Sequence, residues 1–317
     1  MTQQETTHQE ATQQDTRRQE AAVPAKGIVV GYDDSPGSEV ALDWAAVTAQ
    51  RWGTALNVLH CVDMATVAYG PAYTLDELSA DLAQAGHDIV AAGVDRARRT
   101  VVGPSQVSGL MTIGSPAAEL VNASKDADLV VTGSRGRGRM AAGLLGSVSF
   151  AVTAHASCPA VVVPSDHPVH PDADHPVVVG VDGSQEAMRA LDLGAELAAL
   201  CGAGLRIVTV AHISSPDSFA YVETVKAGSE HTHDVREAAE RTLADASTRA
   251  GAAYGTISIE TEVLYGSPGH TLSQLGEHAG LIVVGSRGRG GFAGLVLGSV
   301  SHTVIREAGC PVMVVPG

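Results

Sequence analysis

The sequence is poor in aromatic residues and in positive charge, and each shortage excludes a class of protein. Phenylalanine, tryptophan and tyrosine make up 3% of the 317 residues, and 20 lysine or arginine residues stand against 35 aspartate or glutamate residues. The formal net charge is −15. This charge argues against nonspecific binding to nucleic acid, which depends on cations that neutralise phosphates. It also argues against binding to an anionic membrane surface.

Long apolar runs and paired cysteines are missing too. No apolar run approaches the roughly 18 residues that a membrane-crossing helix needs. Residues 1–24 are rich in glutamine, threonine and glutamate and have no apolar core like that of a secretory signal, so they predict a disordered tail. The cysteines form no CxxC pair, and Cys158 and Cys310 occupy equivalent apolar segments. This usage predicts free, buried thiols and a cytoplasmic location.

The chain repeats itself, and the repeat defines its organisation. KGIVVGYDDS at 26–35 returns as PVVVGVDGS at 176–184, and in each copy short apolar strand patterns alternate with helical patterns. Such alternation predicts parallel sheets covered by helices on both faces. We therefore predict an α/β fold of two tandem Rossmann-like domains, each with an open, parallel, five-stranded sheet of order 3-2-1-4-5. The predicted segments are a tail at 1–24, a first domain at 25–164, a linker at 165–175 and a second domain at 176–317.

A glycine-rich stretch follows the fourth strand pattern of each half. It reads GSRGRGRMAAGLLGSVS at 133–149 and GSRGRGGFAGLVLGSVS at 285–301. Glycine lets several main-chain amides gather into one concavity. The Gly-Ser pair near the end of each stretch opens a helical pattern, and helix N-termini attract anions. Arginines, with no acid among them, add positive charge. Two copies with the same spacing predict two phosphate-binding loops.

Other known site motifs do not fit. A Walker A loop requires Gly-Lys-Ser/Thr, and none of the lysines, Lys26, Lys125 and Lys226, follows a glycine. Residues 136–141 and 288–293 match G-x-G-x-x-A, but that dinucleotide fingerprint belongs at the first strand–helix turn with an acid about 20 residues on. NAD is therefore disfavoured. The histidines show no HExxH or paired Cys/His spacing, and no G-x-S-x-G occurs, which disfavours a metal site and a nucleophilic triad.

The predicted strand order places an acid beside each glycine loop. In open α/β sheets, ligands bind beyond the carboxyl ends of the strands, where the strand order reverses. With order 3-2-1-4-5, that crevice lies between strands one and four, so Asp33 and Asp182 face the two loops. A carboxylate there suits ribose hydroxyls. A turn-forming aspartate, or one that approaches bound Mg²⁺, also fits the position.

With these residues the chain resembles a tandem member of the universal stress protein family, over about 26–164 and 176–317. The residues that match the family's ATP-binding motif, G-2x-G-9x-G-S/T, are Gly133, Gly136, Gly146 and Ser147, and again Gly285, Gly288, Gly298 and Ser299. The resemblance implies one ATP, with Mg²⁺, in each half. The triphosphate would lie on the glycine loop, the ribose near the aspartate, and the adenine at the end of strand two.

The resemblance also implies a set of binding residues in each half. In the first half they are Gly31, Asp33, Val62, Gly133, Ser134, Arg135, Gly136, Arg137, Gly138, Arg139, Gly146, Ser147 and Val148. In the second half they are Gly180, Asp182, Ala211, Gly285, Ser286, Arg287, Gly288, Arg289, Gly290, Gly291, Gly298, Ser299 and Val300. The halves differ at Asp34 against Gly183 and at Arg139 against Gly291. We therefore expect the two affinities to differ.

Three classes of function stay open. The leading hypothesis is an ATP-binding stress-response regulator without catalytic residues, in which bound nucleotide sets a conformational or oligomeric state. The alternative is a slow ATPase or an adenylating enzyme of a related fold, although the turns GYDDS and GVDGS lack the SGGxDS of the ATP pyrophosphatases. The third is a nucleotide-independent interaction module. The resemblance implies pairing through the last strands, 160–163 and 312–315, within one chain or in a homodimer, and a regulatory protein partner.

Overall fold

The computed structural model of the protein describes residues 27–63, 75–100, 106–136, 145–165, 168–211, 230–289 and 296–317. The first half contains β1 (Ile28–Gly31), α1 (Pro36–Trp52), β2 (Leu56–Asp63), α2 (Leu75–Thr100), β3 (Val107–Gly114), α3 (Pro116–Ala123), β4 (Leu129–Gly133), α4 (Ser147–His155) and β5 (Ala160–Val163). The second half contains β6 (Val177–Gly180), α5 (Gln185–Cys201), β7 (Leu205–Ala211), α6 (Glu230–Ala253), β8 (Ile259–Tyr265), α7 (Pro268–Gln274), a 3₁₀ turn (Leu275–Glu277), β9 (Leu281–Gly285), α8 (Ser299–Glu307) and β10 (Val312–Val315).

The strand order confirms the predicted fold and extends it. The sheet runs β3-β2-β1-β4-β5-β10-β9-β6-β7-β8, so each half has the order 3-2-1-4-5. Neighbours within each half are parallel, whereas β5 and β10 are antiparallel, with Met313 opposite Val161. The two predicted sheets are thus one ten-stranded sheet. The halves cover each other's apolar edge strand, which would otherwise be open to pairing with another chain.

Local signals fix the start and end of the helix that follows the first strand of each half. Ser35 and Ser184 cap α1 and α5, because each hydroxyl accepts the amide three residues on, at 3.3 Å and 3.2 Å. Gly53 and Gly202 end these helices with φ 64°, a left-handed conformation that glycine adopts without strain. The turn between the first strand and its helix is therefore placed alike in both halves.

One apolar core runs through both halves on one face of the sheet. It lies under α1, α2, α5 and α6, and it includes Met313 and Val161, which are fully buried at the junction of the halves. The opposite face carries one cluster under α3 and α4 and another under α7 and α8. The shared core means that the halves are stabilised together on the first face.

The linker between the halves packs against α1. The imidazole of His170 stacks on the indole of Trp44, with ring centroids 5.4 Å apart and 5° between the planes. Arg51 donates from Nη1 to the carbonyl of Pro171 at 2.7 Å. Burial, together with the charge of Arg51, lowers the pKa of His170 to about 4. The described part of the linker, 168–175, is therefore an integral part of the packed structure.

We predict that Met313→Ala lowers the free energy of unfolding by about 2–5 kcal/mol, because it leaves a cavity in the core that both halves share. The matched control is Leu200→Ala on α5, where the side chain is 52% exposed. Leu200→Ala should change the free energy of unfolding by no more than about 0.5 kcal/mol. Urea titration followed by circular dichroism measures both variants. Equal losses in the two would contradict a shared core at this junction.

We also predict that His170 makes the protein less stable in acid. Its folded pKa of about 4 lies below the ordinary value of 6.5. Between these values the unfolded chain takes up a proton that the folded chain does not. The contribution of the neutral His170 to the free energy of unfolding is therefore complete above about pH 6.5. It is lost as the pH falls towards about 4.

The variant His170→Phe keeps a stacked ring but does not titrate. Its unfolding free energy should fall less than that of the wild type between about pH 7 and about pH 4.5, by on the order of 2 kcal/mol. The control His87→Phe replaces an exposed histidine on α2 and should keep the wild-type profile. Urea midpoints across this pH range provide the measurement. A profile of His170→Phe that superimposes on the wild type would rule out His170 as the responsible group.

Candidate functional site

A cavity opens in each half at the carboxyl ends of the first and fourth strands. The cavity of the first half measures about 420 Å³ and that of the second about 390 Å³. Each is lined by the turn after the first strand, by the glycine loop and by the first turn of α4 or α8. The crossovers from β1 and β4 run in opposite directions, which leaves this crevice between them.

The same hydrogen bonds hold the glycine loop of each half at the end of its strand. The amide of Gly146 donates to the carbonyl of Ser134 at 2.9 Å. The hydroxyl of Ser149 donates to the carbonyl of Gly133 at 2.6 Å. The second half repeats both bonds, at 2.8 Å and 2.6 Å. These bonds hold the two ends of each loop together at the carboxyl end of the preceding strand. The following helix therefore starts beside that strand end.

Both helices begin at a glycine N-cap. Gly146 and Gly298 have extended backbone angles and provide no side-chain cap. Ser147 and Ser299 are the first helical residues, and both border the cavities. No acidic side chain lies in the first turn of either helix. An anion in the cavity would supply the hydrogen-bond acceptor that such a helix start requires.

The aspartate at the end of each first strand shapes its own turn. Asp33 Oδ1 accepts from the amide and the hydroxyl of Ser35 at 3.1 Å and 2.5 Å. Asp182 Oδ1 accepts from the amide of Ser184 at 2.9 Å, and its Oδ2 accepts from the amide of Arg289 at 2.8 Å. In the second half one carboxylate therefore forms the turn with one oxygen and contacts the glycine loop with the other.

The second glycine of each loop lies directly against this carboxylate. A Cβ added to Gly136 would lie 2.7 Å from Asp33 Oδ2, and one added to Gly288 would lie still closer to Asp182 Oδ2. A Cβ at Gly133 would lie 2.5 Å from the carbonyl oxygen of a residue in α1. These positions therefore exclude side chains, and the main chain of the loop lines the cavity directly.

Comparison with known proteins gives a consistent result. A family model described as the universal stress protein family matches residues 24–164 and again residues 175–316. The chain belongs to the universal stress protein family. The universal stress protein Rv2005c of Mycobacterium tuberculosis is 34% identical over 291 residues, which cover 91% of this chain and 96% of the relative. Rv2623 of the same species is 35% identical over 297 residues, which cover 91% and 95%.

A solved universal stress protein from Archaeoglobus fulgidus has the same fold. The alignment covers 91% of this chain and 97% of that one, with a TM-score of 0.62 and 22% sequence identity. At this identity the likeness concerns the fold alone. It extends across both halves of this universal stress protein.

The structure brings most of the predicted residues to the cavities. Those that line the first cavity are Gly31, Asp33, Val62, Gly133, Arg135, Gly136, Gly146, Ser147 and Val148. Those that line the second are Gly180, Asp182, Gly285, Arg287, Gly288, Arg289, Gly298, Ser299 and Val300. The predicted residues that lie outside the described part of the chain are Arg137, Gly138, Arg139, Gly290 and Gly291.

Two predicted serines and one alanine do not line the cavities. The amides of Ser134 and Ser286 donate to the last strand of their half at 2.8 Å, so both residues lie behind the loop. Ala211 is buried at the end of β7, where Val208 and Val210 line the cavity instead. Successive side chains of a strand point to opposite faces, so Ala211 points away from these two valines.

The first cavity has a further wall that the sequence analysis missed. Leu82, Ala85, Gly86 and Ile89 line it from α2, and His60 lines it from β2. This wall explains why Val62 borders the first cavity, whereas the equivalent Ala211 does not border the second. The ring of His60 is oriented by a hydrogen bond from Nδ1 to a carbonyl oxygen of the β1–α1 turn, at 2.8 Å. The helical spacing of the α2 residues indicates an apolar face but does not indicate what that face meets.

The described part of the chain has three further features that bear on its chemistry. Its helices are too short or too polar to cross a membrane. No three His, Cys, Asp or Glu side chains in that part form a group that could hold a metal ion. All four cysteines are free, as predicted, although Cys201 is only half-buried. Burial raises the pKa values of Cys158 and Cys310 to about 12, which keeps both thiols protonated and unreactive.

We predict that Gly288→Ala breaks the contact between the glycine loop and Asp182, because the added methyl has no room beside the carboxylate. The amide of Arg289 should then lose its acceptor and exchange about tenfold faster or more. Hydrogen exchange of the segment that contains Arg289 measures this. The control Gly309→Ala places a methyl where no atom lies within 4 Å. Unchanged exchange in Gly288→Ala would contradict the close packing.

Proposed function

We propose that this universal stress protein binds ATP in the cytoplasm, one molecule in each half, and that bound nucleotide sets the state in which it regulates a stress response. The observation that carries the proposal is the double occurrence of one arrangement. In each half a cavity joins a glycine-capped helix N-terminus, at least one arginine and an aspartate. A single such loop would be weak support, whereas two of the same geometry support a common ligand.

The chemistry of the first cavity changes along its length in the way a nucleotide would require. At one end are the first turn of α4 and Arg135, which suit phosphates. Asp33 lies at the turn, where a carboxylate oxygen can accept from ribose hydroxyls. At the other end Val62 of β2 and Leu82 and Ile89 of α2 form an apolar wall that suits a base. Volumes of about 420 Å³ and 390 Å³ lie within the usual range for small-molecule sites.

We propose that Mg²⁺ enters with the nucleotide. Mg²⁺ in proteins is commonly held by phosphate oxygens, water and one or two carboxylates. Asp33 and Asp182 each supply one carboxylate beside the loop. Their contacts with the turn are compatible with either role, as a ribose acceptor or as a group that approaches the ion. Binding measured with and without Mg²⁺ separates these roles.

The regulatory part of the proposal rests on how the two sites are joined. The helices α4 and α8 begin at the two cavities and contact each other through Phe150 and His302. Their rings meet edge to face, with centroids 5.7 Å apart and 85° between the planes. A ligand at either helix start thus acts on an element that touches the other site's helix. We propose that this junction, a homodimer contact or a protein partner reads the bound state.

We predict that the double variant Gly146→Glu, Gly298→Glu abolishes ATP binding. Both positions have φ near −70°, at −64° and −71°, so glutamate fits the backbone without strain. The new carboxylates would lie at helix N-termini that are proposed to hold phosphate, and they would repel it. Equilibrium dialysis at about millimolar ATP, the level usual for substrate affinities, measures the stoichiometry. The expected values are two ATP per wild-type chain and none per variant chain.

The matched control is Gly251→Glu on α6, where an added Cβ meets only an ordinary contact with Ile259 Cδ1 at 3.9 Å. It introduces the same charge at a position that lines neither cavity and should bind as the wild type does. Phosphate release measured in the same samples tests the enzyme alternative. Wild-type protein that takes up no ATP would refute the proposed function. ATP turnover well above background, lost in the double variant, would favour the slow ATPase.

A further inference from the structure

The two cavities differ at one buried position just before the glycine loop. Thr132 on β4 and Val284 on β9 occupy equivalent places, and both border their cavity. They are 4% and 3% exposed. Threonine and valine have the same shape, so the first cavity has a hydroxyl where the second has a methyl group. The backbone around them is the same in both halves.

The hydroxyl of Thr132 is buried and forms no hydrogen bond among the described residues. The nearby carbonyl of Gly133 already accepts from Ser149. Among the described residues Thr112 also has a buried, unpaired hydroxyl, whereas the buried threonines Thr48 and Thr209 are paired. Thr48 donates to a helix carbonyl at 2.9 Å, and Thr209 donates to the carbonyl of Val181 at 3.0 Å. A buried hydroxyl without a partner destabilises a protein, so its presence requires an explanation.

The surroundings of Thr132 show which part of a ligand lies near it. Its side chain shares a face of β4 with Val130, which packs in the cluster under α3 and α4. It comes directly before the loop, and Val148 in the first turn of α4 lines the same cavity. A rotation about χ1 exchanges the hydroxyl and the methyl group between two staggered positions. The hydroxyl can therefore turn to the cavity near its anion-attracting end without backbone movement.

The same polarity difference recurs at two other lining positions. Ser38 in the first cavity corresponds to Ala187 in the second, and Cys61 corresponds to Val210. In each pair the first half has the atom that can form a hydrogen bond. The hydroxyl of Ser38 already donates to the carbonyl of Ser35 at 3.0 Å and accepts two amides of the turn, so of these groups it is the Thr132 hydroxyl that is unpaired.

We infer that Thr132 is a specificity-determining residue of the first site, where its hydroxyl forms a hydrogen bond with an oxygen in the sugar-phosphate part of the bound nucleotide. The second site has no such bond, because Val284 cannot form one. This inference rests on the proposed function, since it concerns the same ligand. The proposed hydrogen bond makes the two sites unequal. The hydroxyl of Thr132 should strengthen nucleotide binding at the first site by about 3- to 10-fold.

The first test uses the protein without ligand. Thr132→Val removes an unpaired buried hydroxyl and keeps the shape, so it should raise the thermal unfolding midpoint. The reciprocal change, Val284→Thr, should lower it. The matched control is Thr48→Val, which removes a hydroxyl that is buried and paired, and it should not raise the midpoint. A midpoint that falls in Thr132→Val would show that the hydroxyl already has a partner and would overturn the inference.

The second test measures ATP affinity with one site disabled. In a Gly298→Glu background only the first site is open, and Thr132→Val should weaken ATP binding by about 3- to 10-fold. In a Gly146→Glu background only the second site is open, and Val284→Thr should strengthen binding by a similar factor. Thr48→Val should change neither affinity. Unchanged affinity in Thr132→Val would overturn the inference while the proposed function stands.

Failure of the proposed function has a different signature. If the single-site proteins take up no ATP at all, the nucleotide assignment fails for Thr132 as well as for the loop. The midpoint of ligand-free Thr132→Val still shows separately whether the hydroxyl is unpaired. Binding and stability together therefore distinguish a wrong ligand from a wrong residue.

Discussion

The close approach of a main chain to a carboxylate, with no side chain between them, is the constraint on which the site depends. Gly136 and Gly288 meet Asp33 and Asp182 at distances that leave no room for a methyl group. The aspartate ends the first strand and the glycine follows the fourth, so the contact requires these strands to be neighbours with their carboxyl ends together. The order 3-2-1-4-5 satisfies this requirement twice. The loop chemistry and the sheet topology are thus two aspects of one requirement.

The position of the two sites relative to each other follows from the last strands. β5 and β10 are short, apolar and buried, and their antiparallel pairing joins the halves into one sheet. The pairing brings α4 and α8 into contact through Phe150 and His302. Helices that begin at the two cavities therefore meet at the junction. Two independent domains on a flexible linker would lack this contact, and the stacking of His170 on Trp44 shows that the linker is packed as well.

Features encoded locally were predictable from the sequence, and features that depend on which surfaces meet were not. The repeat and the alternation of strands and helices follow from the apolar runs, and the start and end of α1 follow from Ser35 and Gly53. The α2 wall was missed because the spacing of Leu82 and Ile89 indicates an apolar face without indicating its neighbour. Ala211 was placed by analogy with Val62, but among the described residues α2 lines the first cavity whereas α6 does not line the second. The single ten-stranded sheet depends on two edges that are far apart in sequence.

The sequence differences between the halves do not all have the same structural effect. Asp34 and Gly183 differ in sequence, yet both have left-handed backbone angles, with φ 61° and 81°. Aspartate tolerates this conformation better than most residues, and its side chain accepts from the hydroxyl of Tyr32 at 3.1 Å. The turn is thus preserved. Thr132 and Val284 also preserve the backbone, but they change the hydrogen-bonding capacity of the cavity wall. Any difference in function between the two sites is therefore expected to come from residues of the cavity wall, such as Thr132 and Val284. It is not expected to come from the turn after the first strand.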